Sequence, residues 1–204
     1  MEIDKKTHQI SGKNHYKTQT TKSQIVIGIS LRKDSNHISR LRHKDFGLTK
    51  KWNTYTISRD GTIYQHYDDK YYSDFLNIKP ADKQSISIVL ENMGCLSESM
   101  VPSNRYVNWL NEYCDKESVI EKKYFGFEYW EKFPEIQIEN LVLLCRVLCE
   151  KHGISKNFIE FQDHNNSVSK YKGILFRSNY IESSSDINPL FKIEMMDNML
   201  NETL

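Results

Sequence analysis

The stretch QIVIGI, residues 24–29, predicts the central strand of the fold. Its isoleucines and valine are β-branched and follow one another almost without interruption, a pattern typical of a strand that is buried on both faces of a sheet. A second run of the same kind, SISIVLE, covers residues 85–91. We therefore expect these two strands to lie side by side in the centre of one sheet.

Further strands are predicted on either side of these two runs. Arg59-Asp60-Gly61 separates the alternating runs TYTIS and TIYQHY, and Asp-Gly favours a hairpin turn because glycine accepts a positive φ. NFIEF, residues 157–161, predicts a fifth strand. KYFGFEYWEKFP, residues 123–134, is rich in aromatic residues and has no period, so we expect an irregular segment that covers the domain surface or lines a cleft.

Four segments carry the signals of amphipathic helices. The clearest begins at Pro134 and runs through His152, with Gly153 at the position where helices commonly end. The others cover residues 35–46, where Ser35 can cap the first turn, residues 103–113, and the tail from residue 189 to 204. Strands interleaved with helices predict an α/β single domain, with a central mixed β-sheet flanked by helices.

Composition and charge limit the classes of protein that fit. The chain has 204 residues and a mean hydropathy of −0.65, and no apolar run approaches the ~20 residues of a membrane span. Residues 1–23 form a polar, basic arm without the apolar core of a signal peptide. Residues 24–191 would form the domain, and residues 192–204 a tail with a short docking helix. We expect no membrane partner and no specific nucleic-acid partner.

Charge is distributed unevenly along the chain. Residues 1–60 contain 13 Lys and Arg against 5 Asp and Glu, whereas residues 181–204 contain one Lys against five acids. The basic half could meet a polyanion, or it could be a solvated face that the acidic tail balances. The four cysteines form no metal or disulfide signature, and Cys145 and Cys149 are expected to be buried small apolar residues.

Four blocks of the sequence resemble a known family in their order and spacing. QIVIGIS, the stretch from residue 43 to 65, SISIVLENMG and SDINPLF together resemble the zinc-dependent N-acetylmuramoyl-L-alanine amidases, which include amidase-type phage lysozymes and peptidoglycan recognition proteins. KYYSDF, FGFEYW and FRSNY further resemble a divergent branch found in tailed-phage genomes. The resemblance implies peptidoglycan as the partner, Zn²⁺ as a cofactor, and a location in the host cytoplasm or the virion of a bacteriophage.

The resemblance also assigns zinc ligands to positions of this chain. The first ligand should end the QIVIGI strand, where this chain has Gly28, and His37 is a possible third ligand in its place. His164 in FQDHNNS and Asp186 in DINPLF match the other two ligand positions, while His43 matches a stretch that is usually structural. Two alternatives remain open: His164 as an exposed loop histidine, and Asp186 as the cap of the last helix.

The residues that assist catalysis in the family are also replaced. The tyrosine before the hairpin corresponds to Asn53, and the general-base glutamate to Val89, which leaves Glu91 one pleat further along the same strand. The lysine before the last ligand corresponds to Ser184. Asn53 and Glu91 are therefore weak catalytic candidates. Asparagine, valine and serine do not replace acid–base groups in kind, so we expect peptidoglycan hydrolysis to be weak or absent.

Three functions are compatible with these patterns. The chain is an amidase with an incomplete zinc site, a module that holds peptidoglycan in the groove of an inactive amidase fold, or a structural component of a phage virion whose basic arm binds a neighbouring subunit. Arg177 and Asn179 of FRSNY are candidates for ligand binding in the groove. Their alternative role is hydrogen bonding that holds a loop in place.

Overall fold

The structure is a computed structural model that describes residues 2–33, 36–43, 49–100, 105–182, 186 and 188–201. The strands are β1 (Ile3–Asp4), β2 (Gln24–Ile29), β3 (Tyr55–Ile57), β4 (Ile63–Gln65), β5 (Ser85–Leu90), β6 (Cys95–Glu98), β7 (Tyr106–Val107), β8 (Tyr113–Cys114), β9 (Val119–Tyr124), β10 (Phe127–Glu131) and β11 (Gly173–Phe176). The α-helices are α1 (Asn36–His43), α2 (Lys79–Gln84), α3 (Glu135–His152), α4 (Arg177–Tyr180) and α5 (Ile193–Asn201).

The central sheet contains six strands in the order β1-β4-β3-β5-β2-β11. It is mixed, because β3 and β4 form the predicted antiparallel hairpin whereas the other neighbouring strands are parallel. Every residue of β2 and β5 is buried, and the two strands are paired along their whole length. The prediction that QIVIGI and SISIVLE lie side by side in the sheet centre is confirmed.

The long helix α3 and the last helix α5 cover the core. Leu141, Leu144 and Leu148 of α3 are buried in one apolar cluster with the central strands, and α3 ends at Gly153 in the left-handed conformation, with φ 65°. Met196 and Leu200 of α5 join the same cluster. Both helices confirm predictions, since their apolar spacing is local information. Cys145 and Cys149 are buried among these residues, as expected.

The segment from residue 95 to 131 forms a second, antiparallel sheet in the order β8-β7-β6-β10-β9. The predicted helix over residues 103–113 is therefore wrong in the part that the structure describes, residues 105–113. Asn108 explains this, because its side-chain Oδ1 accepts hydrogen bonds from the backbone N–H groups of Leu110 and Glu112 and so closes a turn, with Asn111 at φ 59°.

The aromatic segment from residue 123 to 134, predicted to be irregular, also contributes to this second sheet. β9 and β10 pair as a hairpin, with Phe125 and Gly126 between them at φ 51° and 83°. Positive φ at both central residues is the turn geometry that matches the twist of a hairpin. The predicted fifth strand at residues 157–161 is wrong as well, since within it only Phe158 makes a bridge, to Ile174.

Residues 2–23 lie against the central sheet of their own chain. β1 pairs with β4 at the sheet edge, and Tyr16 forms a bridge with Tyr72. Lys22 is buried and donates hydrogen bonds to the carbonyl oxygens of Tyr71 and Lys83. In the described part of the chain, no helix has both the length and the apolar character that crossing a bilayer requires. The predicted cap at Ser35 lies outside the described residues.

Candidate functional site

Parallel pairing brings three positions together at the carboxyl end of the central sheet. Phe176 of β11 pairs with Ile27, and Gly28 pairs with Val89, so Arg177, which follows β11, lies beside Gly28. The carboxyl ends of parallel strands are where open α/β sheets form ligand clefts. A cleft of about 350 Å³ opens at this place. Its charged and polar lining includes Arg32, His37, Lys51, Asn53, Asp74 and Arg177.

The space above Gly28 is filled by the side chain of Arg177. A Cβ atom on Gly28 would lie 3.5 Å from Cδ of Arg177, 3.6 Å from its Cβ and 3.4 Å from Cζ of Phe75. The guanidinium carbon of Arg177 lies 5.6 Å from the centre of the Phe75 ring, a distance typical of a cation–π contact. The gap that a glycine would otherwise leave beside the cleft is therefore occupied by a cationic side chain.

Arg177 is held by an ion pair with Asp186. Its Nε atom lies 3.0 Å from Oδ2 of Asp186, whose side chain is only 1% exposed. Burial raises the pKa of Asp186, and the opposing attraction to Arg177 lowers it. The side chain of Arg177 is 31% exposed and reaches the cleft. The carboxylate predicted to bind a metal thus binds an arginine.

His37 belongs to a chain of hydrogen bonds that runs from the cleft into the domain. Nδ1 of His66 lies 2.9 Å from the carbonyl oxygen of His8, which can only accept, so Nδ1 donates and Nε2 accepts from the Thr56 hydroxyl. Thr56 then accepts from Nδ2 of Asn53, and Oδ1 of Asn53 accepts from Nε2 of His37 at 3.1 Å. This chain makes Nε2 the protonated nitrogen of His37.

Burial has the same consequence for the charge of both histidines in this chain. It lowers the pKa of His37 to about 3 and that of His66 to about 4, so both rings are neutral near pH 7. Asn53 is buried, and its amide nitrogen also donates to the carbonyl oxygen of Tyr55. Both polar ends of the Asn53 side chain are therefore engaged in positioning neighbouring groups.

The side chains at the predicted metal positions do not fit a zinc ion. His164 is exposed, and Asp186 is paired with Arg177. Among the residues that the structure describes, which include His37, no three His, Cys, Asp or Glu side chains are placed to share a metal. Zinc needs three protein ligands around one point, and here the aliphatic part of the Arg177 side chain lies against Gly28, where the resemblance places the first ligand. The side chain of His43 lies outside the described residues.

The catalytic candidate Glu91 lies outside the cleft. Glu91 is buried and lines a neighbouring cavity of about 300 Å³, together with His8, Asp60 and Tyr64. Val89, its neighbour on the same strand face, lines the cleft but carries no polar group. Glu91 thus lies just beyond the end of β5, and its side chain lines the neighbouring cavity instead of the cleft that Val89 lines.

Asn179 lies beneath the loop that carries His164. Its Oδ1 accepts from the backbone N–H of Phe176, and its Nδ2 donates to the carbonyl oxygens of Phe161 and Asp163, each at 2.9 Å. Asn179 is fully buried. Its hydrogen bonds are the loop-holding role that the sequence left as the alternative to ligand binding.

One wall of the cleft comes from the second sheet and was missed by the sequence analysis. Trp109, in the turn between β7 and β8, is 62% exposed and donates from Nε1 to the carbonyl oxygen of Leu31 at 3.0 Å. The Arg32 guanidinium lies 5.2 Å from the Trp109 ring centre. Because residues 103–113 were predicted to form a helix, Trp109 was not predicted to line the cleft. The asparagines at 104, 108 and 111 were the available turn signal.

The sequence matches a known family over most of its length. Residues 14–172 match the sequence model of the family described as N-acetylmuramoyl-L-alanine amidase. No curated protein matches the chain.

Solved structures of several amidases and endolysins share the fold. N-acetylmuramoyl-L-alanine amidase LysC from Clostridium intestinale is 13% identical with a TM-score of 0.57, covering 100% of this chain and 99% of that one. The catalytic domain of XlyA is 12% identical with a TM-score of 0.56, covering 98% and 99%. AmiD from E. coli, in complex with anhydro-N-acetylmuramic acid-L-Ala-D-γ-Glu-L-Lys, is 14% identical with a TM-score of 0.57, covering 90% and 59%. At such identities these matches show the fold alone.

Proposed function

The chain belongs to the N-acetylmuramoyl-L-alanine amidase family, and from that premise we propose that it binds bacterial peptidoglycan in the cleft without zinc-dependent cleavage. The family is generally zinc-dependent. The observation that carries the proposal is the Arg177 side chain, which packs over Gly28 and pairs with Asp186.

Within the described part of the chain, the lining of the cleft contains no group of three His, Cys, Asp or Glu side chains that could hold a catalytic zinc ion. A catalytic zinc site requires three ligands and an open position for water, and here the register partners Gly28 and Val89 provide neither a ligand nor a base. Loss of one general acid or base lowers the rate by ~10²–10⁴-fold. Such losses are not additive, but any one of them leaves slow turnover.

The same lining is suited to holding a peptidoglycan fragment. Trp109 offers an exposed aromatic face, and Asn77 and Ser30 add polar groups that can bond to sugar or amide groups. Arg32 and Lys51 bring positive charge to a ligand that carries carboxylates. A muropeptide is the molecule bound in the AmiD complex, a protein of the same fold.

Three measurements on the purified chain test this proposal. We expect the chain to sediment with purified sacculi, to contain far less than one zinc per chain by elemental analysis, and to release no dye above background from labelled sacculi even with added zinc. Robust, zinc-dependent dye release would contradict the proposal. Failure to sediment with sacculi of several chemotypes would contradict the binding function itself.

A further inference from the structure

Arg177 is placed to bind a ligand while Asp186 holds it in position. Its Nε atom is engaged with the buried Asp186, and the two terminal nitrogens have no hydrogen-bond partner in the described part of the chain. The aliphatic part of the side chain packs over Gly28, and the guanidinium carbon lies 5.6 Å from the centre of the Phe75 ring. The orientation of the guanidinium is therefore set before any ligand arrives, which reduces the entropy lost on binding.

The charged side chains that line the cleft, counted together with Asp186, comprise three positive and two negative groups. Arg32, Lys51 and Arg177 are opposed by Asp74 in the lining and by Asp186 behind it. Asp74 accepts a hydrogen bond from the Tyr16 hydroxyl at 2.9 Å, which holds that carboxylate at the wall. A single ligand carboxylate would balance this excess.

We propose that the terminal nitrogens of Arg177 bind one carboxylate of the peptidoglycan stem peptide, and that Lys51 supports its charge. The inference rests on the proposed function and names the group that the cleft recognises. A guanidinium presents paired N–H donors whose spacing matches the two oxygens of a carboxylate, and such charge-assisted pairs are stronger than neutral hydrogen bonds. The position that would hold a metal cation in the family thus holds a receptor for an anion.

Arg177 would recognise a different group of the ligand from the one that a zinc ion recognises. Zinc polarises a carbonyl oxygen as a Lewis acid, whereas a guanidinium pairs with a carboxylate and leaves the amide carbonyl unactivated. The presence of Arg177 in place of a zinc ion would then account both for binding and for the lack of cleavage. Added zinc should not compete with the ligand, because the two would not share a binding group.

The test measures binding of N-acetylmuramoyl-L-Ala-D-Glu-L-Lys to the full chain by calorimetry. We expect the free tripeptide form to bind at least about tenfold more tightly than the same compound with every carboxyl group amidated, the size of effect typical of a charge-assisted pair. Arg177→Gln should abolish this preference, and Lys51→Gln should reduce it. Lys123→Gln, an exposed control far from the cleft lining, should leave it unchanged.

Two controls separate recognition from folding. Arg177→Gln leaves Asp186 without its partner, so the double variant Arg177→Gln/Asp186→Asn is measured beside it, and the thermal unfolding of each is recorded. Lys51→Gln breaks no buried ion pair and tests the same charge. If Lys51→Gln and the folded double variant both keep the full preference, the inference is overturned.

The remaining outcomes distinguish this inference from the proposed function. Equal binding of the free and amidated compounds would overturn the carboxylate inference and leave peptidoglycan binding standing. Binding of neither compound, together with no sedimentation with sacculi, would overturn both. Inorganic phosphate is the third probe: if it binds while the free muropeptide neither binds nor displaces it, the anion recognised is a phosphate and the carboxylate inference is wrong.

Discussion

Gly28 and Arg177 occupy one shared space at the carboxyl end of the central sheet. Because the Cβ position of residue 28 lies 3.5 Å from Cδ of Arg177 and 3.4 Å from Cζ of Phe75, a methyl group makes ordinary contacts there, and we expect an imidazole to displace these neighbours. The arginine in turn needs the space that glycine leaves, since its Nε must reach the buried Asp186. A change at either position therefore changes the environment of the other.

The first prediction concerns this coupling. Gly28→Ala should change the free energy of unfolding by less than about 1 kcal/mol, because its contacts would be ordinary ones. Gly28→His should lower it by about 1–3 kcal/mol, the cost typical of overpacking a core. Gly28→His/Arg177→Ala should recover part of the loss imposed by the histidine. Urea denaturation of the four proteins, including Arg177→Ala, measures the coupling, and strict additivity would refute it.

The second prediction concerns His66, whose neutral ring links Thr56 to the His8 carbonyl. Its pKa is about 4 in the folded chain against 6.5 for an ordinary histidine. Between these two values His66 is protonated in the unfolded chain but neutral in the folded chain. Stability present above pH 6.5 is thus lost as the pH falls toward 4. Between pH 7 and pH 5, protonation of His66 in the unfolded chain should lower the free energy of unfolding by about 2 kcal/mol.

Urea denaturation at pH 7 and pH 5 checks this value. Burial also lowers the pKa of His37, so the wild-type chain loses stability from both rings. The difference between wild type and His66→Gln isolates the contribution of His66: the variant should be less stable at pH 7 but should lose about 2 kcal/mol less on acidification. His164→Gln, at an exposed position, serves as the control. Identical pH slopes for wild type and His66→Gln would contradict the assignment.

At the level of elements, the second sheet is the feature that shapes the cleft. Its β7–β8 turn supplies Trp109 and Asn108, and both side chains donate to the carbonyl oxygen of Leu31, the residue two beyond the end of β2. Leu31 has φ 57°, a conformation that non-glycine residues rarely adopt. The loop that follows β2 is thus held by a sheet that begins more than sixty residues later.

The third prediction concerns the β9–β10 turn of this sheet. Phe125 has φ 51° and is 51% exposed, and asparagine adopts this conformation more readily than phenylalanine. Phe125→Asn should therefore stabilise the chain by about 0.5–1 kcal/mol, net of the lost contact with the Tyr124 ring. Gly126→Ala, at φ 83°, is the matched variant and should destabilise the chain. Thermal unfolding measures both, and a loss of stability in Phe125→Asn would show that the ring contact outweighs the backbone.

At the level of the whole molecule, the segment of residues 2–23 completes the domain. β1 covers the edge strand β4, and the Tyr16 hydroxyl holds Asp74 at the wall of the cleft. Lys50 lies over the Tyr16 ring at 5.0 Å from its centre. This basic segment therefore packs against its own chain, and one of its contacts, from Tyr16 to Asp74, reaches the cleft.

The fourth prediction follows from these contacts. Deletion of residues 2–20 should lower the melting temperature by at least about 4 °C, corresponding to about 1–2 kcal/mol for a chain of this size. It should also promote association, because an uncovered edge strand offers unpaired backbone groups. Differential scanning calorimetry and light scattering measure the two effects. The control is Lys5→Gln/Lys6→Gln, which removes exposed charge but keeps the segment, and an equal effect of both changes would mean that charge rather than packing matters.

The sequence by itself determined the centre of this protein. β2 and β5 are runs of β-branched residues, α3 carries its apolar spacing and its terminal glycine, and the β3–β4 hairpin carries Asp-Gly, so each was predicted from local residues. Such patterns are formed by residues close together in the chain, and they indicate which faces of an element can be buried. The order of these blocks also predicted the family, which the match of residues 14–172 confirms.

The tertiary structure was needed to show which side chain lies over Gly28. Arg177 lies over Gly28 because β11 pairs with β2 in one register, and that register joins positions 149 residues apart in the chain. Likewise, Trp109 reaches the cleft because turn chemistry at Asn108 overrides a helical spacing of aromatic residues. Register is settled by long-range pairing, which no local period carries. The turn is closed by local side-chain hydrogen bonds, which compete with the helical spacing. The sequence could therefore draw attention to Gly28 but could not identify Arg177 as its neighbour.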